Sequence, residues 1–235
     1  MRKKILIDED IFNLFPDFKR GIIVVKDLNN ALANKRIKKP LNKEIENRVK
    51  EDLTYHPFLE AWDKAHLKFG SDPKKFPPSI RSILNRIKKG GGFPFINSVV
   101  ALFNYISIKY LIPCGGDDID AIKGNLRLGF ASGQEIFAPL GGGEEEHPEP
   151  GEVIYFDEQS LKIMCRRWNW RNGDFSKISE NTKRIVINID GIGEVPSALI
   201  EEARDELARL LIEHCQAILF SDLLHQGHRE IEIEI

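Results

Sequence analysis

Only three cysteines occur in the 235 residues. Cys114, Cys165 and Cys215 are widely spaced and odd in number, so they supply neither a disulfide framework nor the paired spacing of a zinc knuckle. No apolar run approaches the length of a membrane span, and Met1 leads straight into charged residues without an apolar leader. These absences predict a soluble, cytoplasmic protein with no membrane partner. The sequence signatures of common catalysts are missing as well: there is no G-x-S-x-G elbow, phosphate-binding P-loop, H-E-x-x-H pair or dinucleotide fingerprint. The run GGGEEEHPEP at 141–150 contains Glu144, Glu146 and His147, but it reads as an acidic turn before a strand, and no metal or other cofactor is expected. His225 and His228 read as polar surface.

What is present is enough apolar material, 42% of the chain, for one full core. The net charge of -2 hides an asymmetry. Residues 1–110 carry 22 Lys and Arg against 12 Asp and Glu; residues 111–235 carry 12 against 24. The basic half suits a phosphate backbone, or it is ordinary solvated surface.

The opening KILIDEDIFNLFP predicts a strand and a turn of helix, and GIIVVKDL at 21–28 a β-branched strand. Ile37, Leu41, Ile45, Val49 and Leu53 lie at helical spacing within 30–53, where Pro40 should break the first turn or begin a new helix. A second helix should start at His56-Pro57 with Phe58, Trp62, Ala65 and Phe69 on its apolar face and Gly70 as its stop. A third follows Ser79 as its cap, KKGGGFP at 88–94 makes a turn, and Asn97 caps a fourth. After 117 the segments IKGNLRLGF, EIFAPL, EVIYFD, LKIMCRRW and RIVINID are short strands between glycine-rich or acidic turns, as in an antiparallel sheet. A long helix is expected from Ser197 to about Leu224, with Ile200, Ala203, Leu207, Leu211 and Ile218 buried. REIEIEI then alternates as a last strand, with Ile231, Ile233 and Ile235 inward. The fold class predicted is α+β: a layered, largely antiparallel sheet packed with helices. Residues 1–235 read as a single domain, with 30–90 a helical elaboration and 197–224 a packing helix.

The densest functional signal is KIMCRRWNWRNG at 162–173. Arg166, Arg167 and Asn169 alternate with Trp168 and Trp170, a composition suited to stacking a base and pairing an anion, or to an edge strand with long surface side chains. Strand alternation places Arg167 and Asn169 on one face and Arg166 and Trp168 on the other, unless the chain bends near Asn172-Gly173. In PCGGDDID at 113–120, Asp118 is positioned to hold an α-ammonium group or orient water; it equally suits a turn cap, and its neighbours Asp117 and Asp120 are weaker candidates. Asn104 lies on nearly the same helix side as Asn97; either amide would reach a ligand, with capping the competing role for Asn97. Arg81 would reach across the same pocket or lie in solvent. Cys165, beside two arginines, is a reactive thiol or a buried strand residue.

FINSVVALFNYISIKYLIP, GGDDIDAIKGNLRLGFASGQEIFAPLGGGE and PGEVIYFDEQSLKIMCRRWNWRNGDFSKISENTKRIVINIDG, taken as an ordered set over most of 90–190, resemble the B3/B4 domain of the phenylalanyl-tRNA synthetase beta subunit in free-standing form. The resemblance implies the B3/B4 architecture, tRNA or aminoacyl-tRNA as partner, and a pocket that hydrolyses the ester of a mischarged aminoacyl-tRNA. The chain departs from the pattern at the family's editing glutamate, where Asn188 stands, and at its histidine, where Gly115 stands; the small apolar site loop is replaced by RRWNWRNGD. Editing of the tyrosine type therefore does not carry over. A deacylase would use Arg167, Asn169 and Asp118 at the ester, with Arg81, Asn97, Asn104, Arg166 and Trp168 binding substrate. The alternative is a non-catalytic module that recognises tRNA, an amino acid or a related small molecule.

Overall fold

Nearly every residue of the run KRGIIVVKD is apolar or flanks an apolar residue, the pattern of a strand covered on both faces. In the computed structural model, which describes residues 2–30, 35–90 and 95–234, this run is strand β2 (Lys19–Asp27). Ile22 and Val24 face one hydrophobic cluster and Ile23 and Val25 the other. Burying an isoleucine side chain this way contributes about 1.5–3 kcal/mol. β2 pairs antiparallel with β8 (Ile185–Gly191) and β9 (Ile218–Leu224), and β8 pairs antiparallel with β3 (Cys114–Asp118), giving the order β3-β8-β2-β9.

A second sheet has the order β10-β1-β4-β5-β6-β7. Its strands are β1 (Arg2–Ile7), β4 (Leu126–Phe130), β5 (Val153–Asp157), β6 (Ile163–Arg166), β7 (Arg171–Asn172) and β10 (Glu230–Glu234). Among the described residues, only the β1–β4 pairing of this sheet's strands is parallel. Ile5, Leu128, Val153 and Met164 of this sheet share a cluster with Ile22, Val24 and Val186 of the other. The opposite face of β2 and β8 packs on α5 (Ser98–Tyr110) and α6 (Ser197–Cys215). The expected α+β layering is thus present, as two largely antiparallel sheets with helices over one of them.

Helix α1 (Glu9–Leu14) follows β1 as expected. Helix α2 (Lys35–Val49) passes through Pro40 instead of breaking there; proline forfeits one backbone hydrogen bond at an exposed position. Its stripe is only partly inward: Ile37 and Leu41 are buried, whereas Val49 is half exposed. Helix α3 (Pro57–Lys68) starts with proline at its first position, and the His56 ring accepts a hydrogen bond from the Phe58 amide at 3.3 Å. Helix α4 (Ser79–Lys88) begins at Ser79 with Pro78 at the N-cap position, and no side chain caps it. The Ser79 amide donates instead to the Asn169 carbonyl at 2.9 Å, tying α4 to the β6–β7 turn.

Two sequence expectations are corrected. The packing helix ends at Cys215, not Leu224, because Gln216 turns left-handed (φ 55°) and ILFSDLL becomes β9 along β2. Ile218 is consequently exposed instead of buried. EIFAPL forms isolated bridges rather than a strand: Ile136, Phe137 and Pro139 each bridge a different partner, and Pro139 has no amide to extend a ladder. Ile231 and Ile233 are buried as expected. Ile235, residues 31–34 of the first helical segment and residues 91–94 of the glycine turn lie outside the described residues. Among the described residues, no helix is long and apolar enough to cross a membrane.

Candidate functional site

The β3 strand lies at a sheet edge, so only one side of its backbone meets β8. The Asp118 amide points off that edge to the Ser176 carbonyl at 2.8 Å, and strand period turns the Gly116 amide the same way. Beside this edge is a chamber of about 450 Å³. Its walls come from α4 (Ile83), α5 (Val100, Phe103, Asn104) and the 172–178 segment, and apolar surface predominates. A smaller recess of about 80 Å³ shares Ser79, Cys114, Gly115, Gly116, Asp117 and Asn172 with the chamber, so the two adjoin along β3. Four polar side chains, Arg20, Tyr155, Asn188 and Asp190, stand around the recess among mainly apolar surface.

Arg20 and Asp190 are directly opposed across β2 and β8. They form a buried two-pronged ion pair, Nε–Oδ1 2.7 Å and Nη2–Oδ2 2.8 Å. Arg20 also lies 5.0 Å from the centre of the Tyr155 ring. Burial pushes the Tyr155 phenol up, away from ionisation. Asp117 sits where chamber and recess meet; the Ser176 hydroxyl donates to its Oδ1 at 2.7 Å. Burial raises its carboxyl to about 7, against the opposing pull of that hydrogen bond and of Arg20. A carboxyl titrating near neutrality in a cavity has the properties of a proton acceptor.

The sequence-selected residues divide into those at the cavity and those that build its walls. Asn169 lines the recess, and its Oδ1 contacts Nε2 of the buried His66 at 3.3 Å. Burial lowers His66 to about 4, so the ring is neutral at physiological pH, and its tautomer sets whether Nε2 donates to or accepts from the Asn169 amide. Asn104 lines the chamber from α5. Asn97 is the helix cap: its Oδ1 accepts from the Val100 amide at 2.9 Å, and its Nδ2 donates to the Ile178 carbonyl at 3.2 Å. Asp118 caps a 3-10 turn through the Asp120 amide at 3.0 Å and accepts from the Thr182 hydroxyl at 2.7 Å. Arg81 joins α4 to α3 through Asp63 at 2.6 Å, away from both cavities.

The two loop arginines converge on one buried carboxylate. Glu152 accepts from Arg166 Nε at 2.9 Å and lies 3.3 Å from Arg167 Nη2. Glu146 also pairs with Arg166. The Arg167 guanidinium lies 3.9 Å over the Phe76 ring. Trp168 is 2% exposed, packed against Phe15, Phe18, Trp62 and Phe69, with one edge at the recess. The bend expected at Asn172-Gly173 occurs earlier, at Arg167 and Trp168, whose φ values are 48° and 65°. That left-handed pair lets Arg166 face Arg171 across a hairpin and turns the indole into the core. Cys165 lines the recess, and burial pushes its thiol up, opposite to the effect expected from neighbouring arginines.

Tyr155, Arg20 and Asp190 escaped the sequence analysis. Their signal was a charge or phenol inside apolar strand runs, KRGIIVV, EVIYFD and IVINIDG, where a buried polar group requires a partner. No group of three or more His, Cys, Asp or Glu is placed to hold a metal among the described residues. His228 contacts Asp222 at 3.0 Å on an exposed hairpin.

The profile of the B3/4 domain family matches residues 61–216. No curated protein matches the chain. Among solved structures, an N-terminal fragment of the phenylalanyl-tRNA synthetase beta-subunit from Pyrococcus horikoshii is similar, with 14% identity and a TM-score of 0.48. The similarity covers 98% of this chain and 54% of that one, so the chain spans about half the length of that fragment.

Proposed function

The chain belongs to the B3/4 domain family, and from that membership we propose that it acts on tRNA, hydrolysing the ester of a mischarged aminoacyl-tRNA at the β3 edge. The observation that carries this reading is the two-part cavity: a chamber large enough for an aminoacyl group, an adjoining recess bordered by Arg20, Tyr155, Asn188 and Asp190, and Asp117 lining both. In the proposed reaction, Asp117 accepts a proton from water as the water oxygen bonds to the ester carbonyl carbon. The Gly116 amide on the open edge donates to the carbonyl oxygen as it gains charge. The carbon–oxygen bond to the ribose then breaks, and the proton passes from Asp117 to the ribose oxygen. Asn104 and Asn169 orient the aminoacyl group; Arg166, Arg167 and Asp118 hold the surrounding loops.

The basic surface supports a tRNA partner. The lysines of α2 adjoin the chamber side, since Lys38 lies 4.8 Å over the Phe95 ring and the next residue, Ile96, lines the chamber. Helix α4 contributes Ile83 to the chamber and carries Lys88 at its end. We also propose that residues 1–235 fold as one domain, with 30–90 as a helical elaboration; Leu53, Leu59 and Trp62 sharing a cluster with Ile5, Trp168 and Ile233 supports this.

A panel of aminoacyl-tRNAs tests the function. At least one charged species should lose its amino acid faster with the protein than spontaneously, and its binding should weaken steeply as salt rises through lost counterion release. Saturable tRNA or amino-acid binding with no accelerated hydrolysis across the panel would reject the enzyme and leave the recognition module.

A further inference from the structure

Buried polar atoms in folded proteins almost always have hydrogen-bond partners. Residues lining the recess nevertheless carry five that have none of good geometry among the described residues: Arg20 Nη1, Trp168 Nε1, Asn169 Nδ2, the Tyr155 hydroxyl and Asn188 Oδ1, the last two side chains lying close enough to interact with each other. We propose that the recess receives an uncharged carboxamide, the side-chain end of a glutamine- or asparagine-like acyl group held in the chamber. The inference deepens the acyl-ester reading above and rests on its placement of that group.

The inventory of free atoms selects the head group. Three are N–H donors, one is an acceptor and the phenol serves as either. An ammonium group would face three donors, and of the nearby carboxylates Asp190 is already engaged at both oxygens by Arg20 and Asp117 at one by Ser176. A carboxylate would add a buried negative charge beside Asp190 and Asp117, with the local guanidinium already paired. An apolar end would leave every free atom unpartnered. A hydroxyl offers one hydrogen and two lone pairs. A carboxamide offers two hydrogens, for Asn188 Oδ1 and the Tyr155 oxygen, and two lone pairs, for two of the three donors, so it serves four of the five atoms against three for a hydroxyl. The recess volume of about 80 Å³ accommodates such a planar group.

His66 contributes from behind. Its Nε2 lies 3.3 Å from Asn169 Oδ1 and holds that amide in place, so His66 is a positioning residue for the recess.

The test is calorimetric titration of the full chain with L-glutamine, L-asparagine, L-glutamate, L-aspartate and L-norleucine at pH 8. At least one amide should bind ten-fold or more tightly than its acid counterpart and than norleucine. N188L should remove that preference; H66A should reduce it, and H66Q should partly restore it. If N188L does not fold, the ligand series on the wild type still decides. Equal or tighter binding of the acids or norleucine, or no saturable binding by any of the five, overturns the proposal. Amide preference without hydrolysis of any aminoacyl-tRNA would retain this inference and remove the catalytic reading. Hydrolysis without amide preference would do the reverse.

Discussion

Asp117→Asn should lower the rate of aminoacyl ester hydrolysis by about 10²–10⁴-fold, the usual contribution of a general base. The substitution is close to isosteric, and its amide oxygen still accepts from the Ser176 hydroxyl that now donates to Asp117. The pH dependence gives a second readout. Burial first, opposed by Ser176 and Arg20, sets the Asp117 carboxyl at about 7. Below that pH the group is protonated and cannot accept a proton, so the wild-type rate should rise with pH and level off above 7. The residual rate of the variant should lack this step. The stability effect has the opposite sign. An unfolded aspartate ionises near 3.9, about three units lower, so the folded state binds the proton more tightly. Asp117 therefore favours folding at low pH and progressively loses that contribution as pH rises from about 4 to 7. At pH 8 the variant should be at least as stable as the wild type. A variant of undiminished rate and unchanged pH profile would remove Asp117 from the chemistry.

Trp168→Ala should cost about 3–5 kcal/mol of stability. The indole has ring centroids of Phe15 and Phe18 at 4.9 Å and of Trp62 at 5.2 Å, so its loss opens a cavity among residues from the N-terminal segment and α3. Urea unfolding measures the effect. The wild type should show one transition by fluorescence and circular dichroism alike, as the one-domain proposal requires. The variant should move the midpoint down with little change in slope. A loss under 1 kcal/mol would contradict the packing role; two separate wild-type transitions would contradict the single domain.

Much of the fold was legible because periodicity records burial. GIIVVKDL, the strand Glu230–Glu234 and the capping Asn97 occur where their patterns place them. Helix α6 was overextended because ILFSDLL is as apolar as a continuing helix face; only its pairing with β2 and the left-handed Gln216 divide it. The site was less legible. RRWNW has the composition of an open ligand platform, but Glu152, more than a dozen residues earlier, binds both arginines, and Arg167-Trp168 turns the indole inward. No local pattern encodes that pairing. Asp118 drew attention over Asp117 as a turn residue, yet strand period places them on opposite sides: Asp118 is used by Thr182 and Asp120, while Asp117 reaches the cavity. The Arg20–Asp190 pair joins residues 170 positions apart and becomes visible only in the register of β2 on β8.

The most direct measurement of the central claim is ester hydrolysis by Gly115→Leu. Gly115 lines both parts of the cavity, and a Cβ built there meets nothing within 4 Å, so a leucine side chain would project into open space without disturbing the core. The account predicts hydrolysis reduced at least 100-fold, with the melting temperature and salt-dependent tRNA binding close to wild type. Wild-type hydrolysis by this variant, correctly folded, would show that the aminoacyl group is processed somewhere other than this cavity.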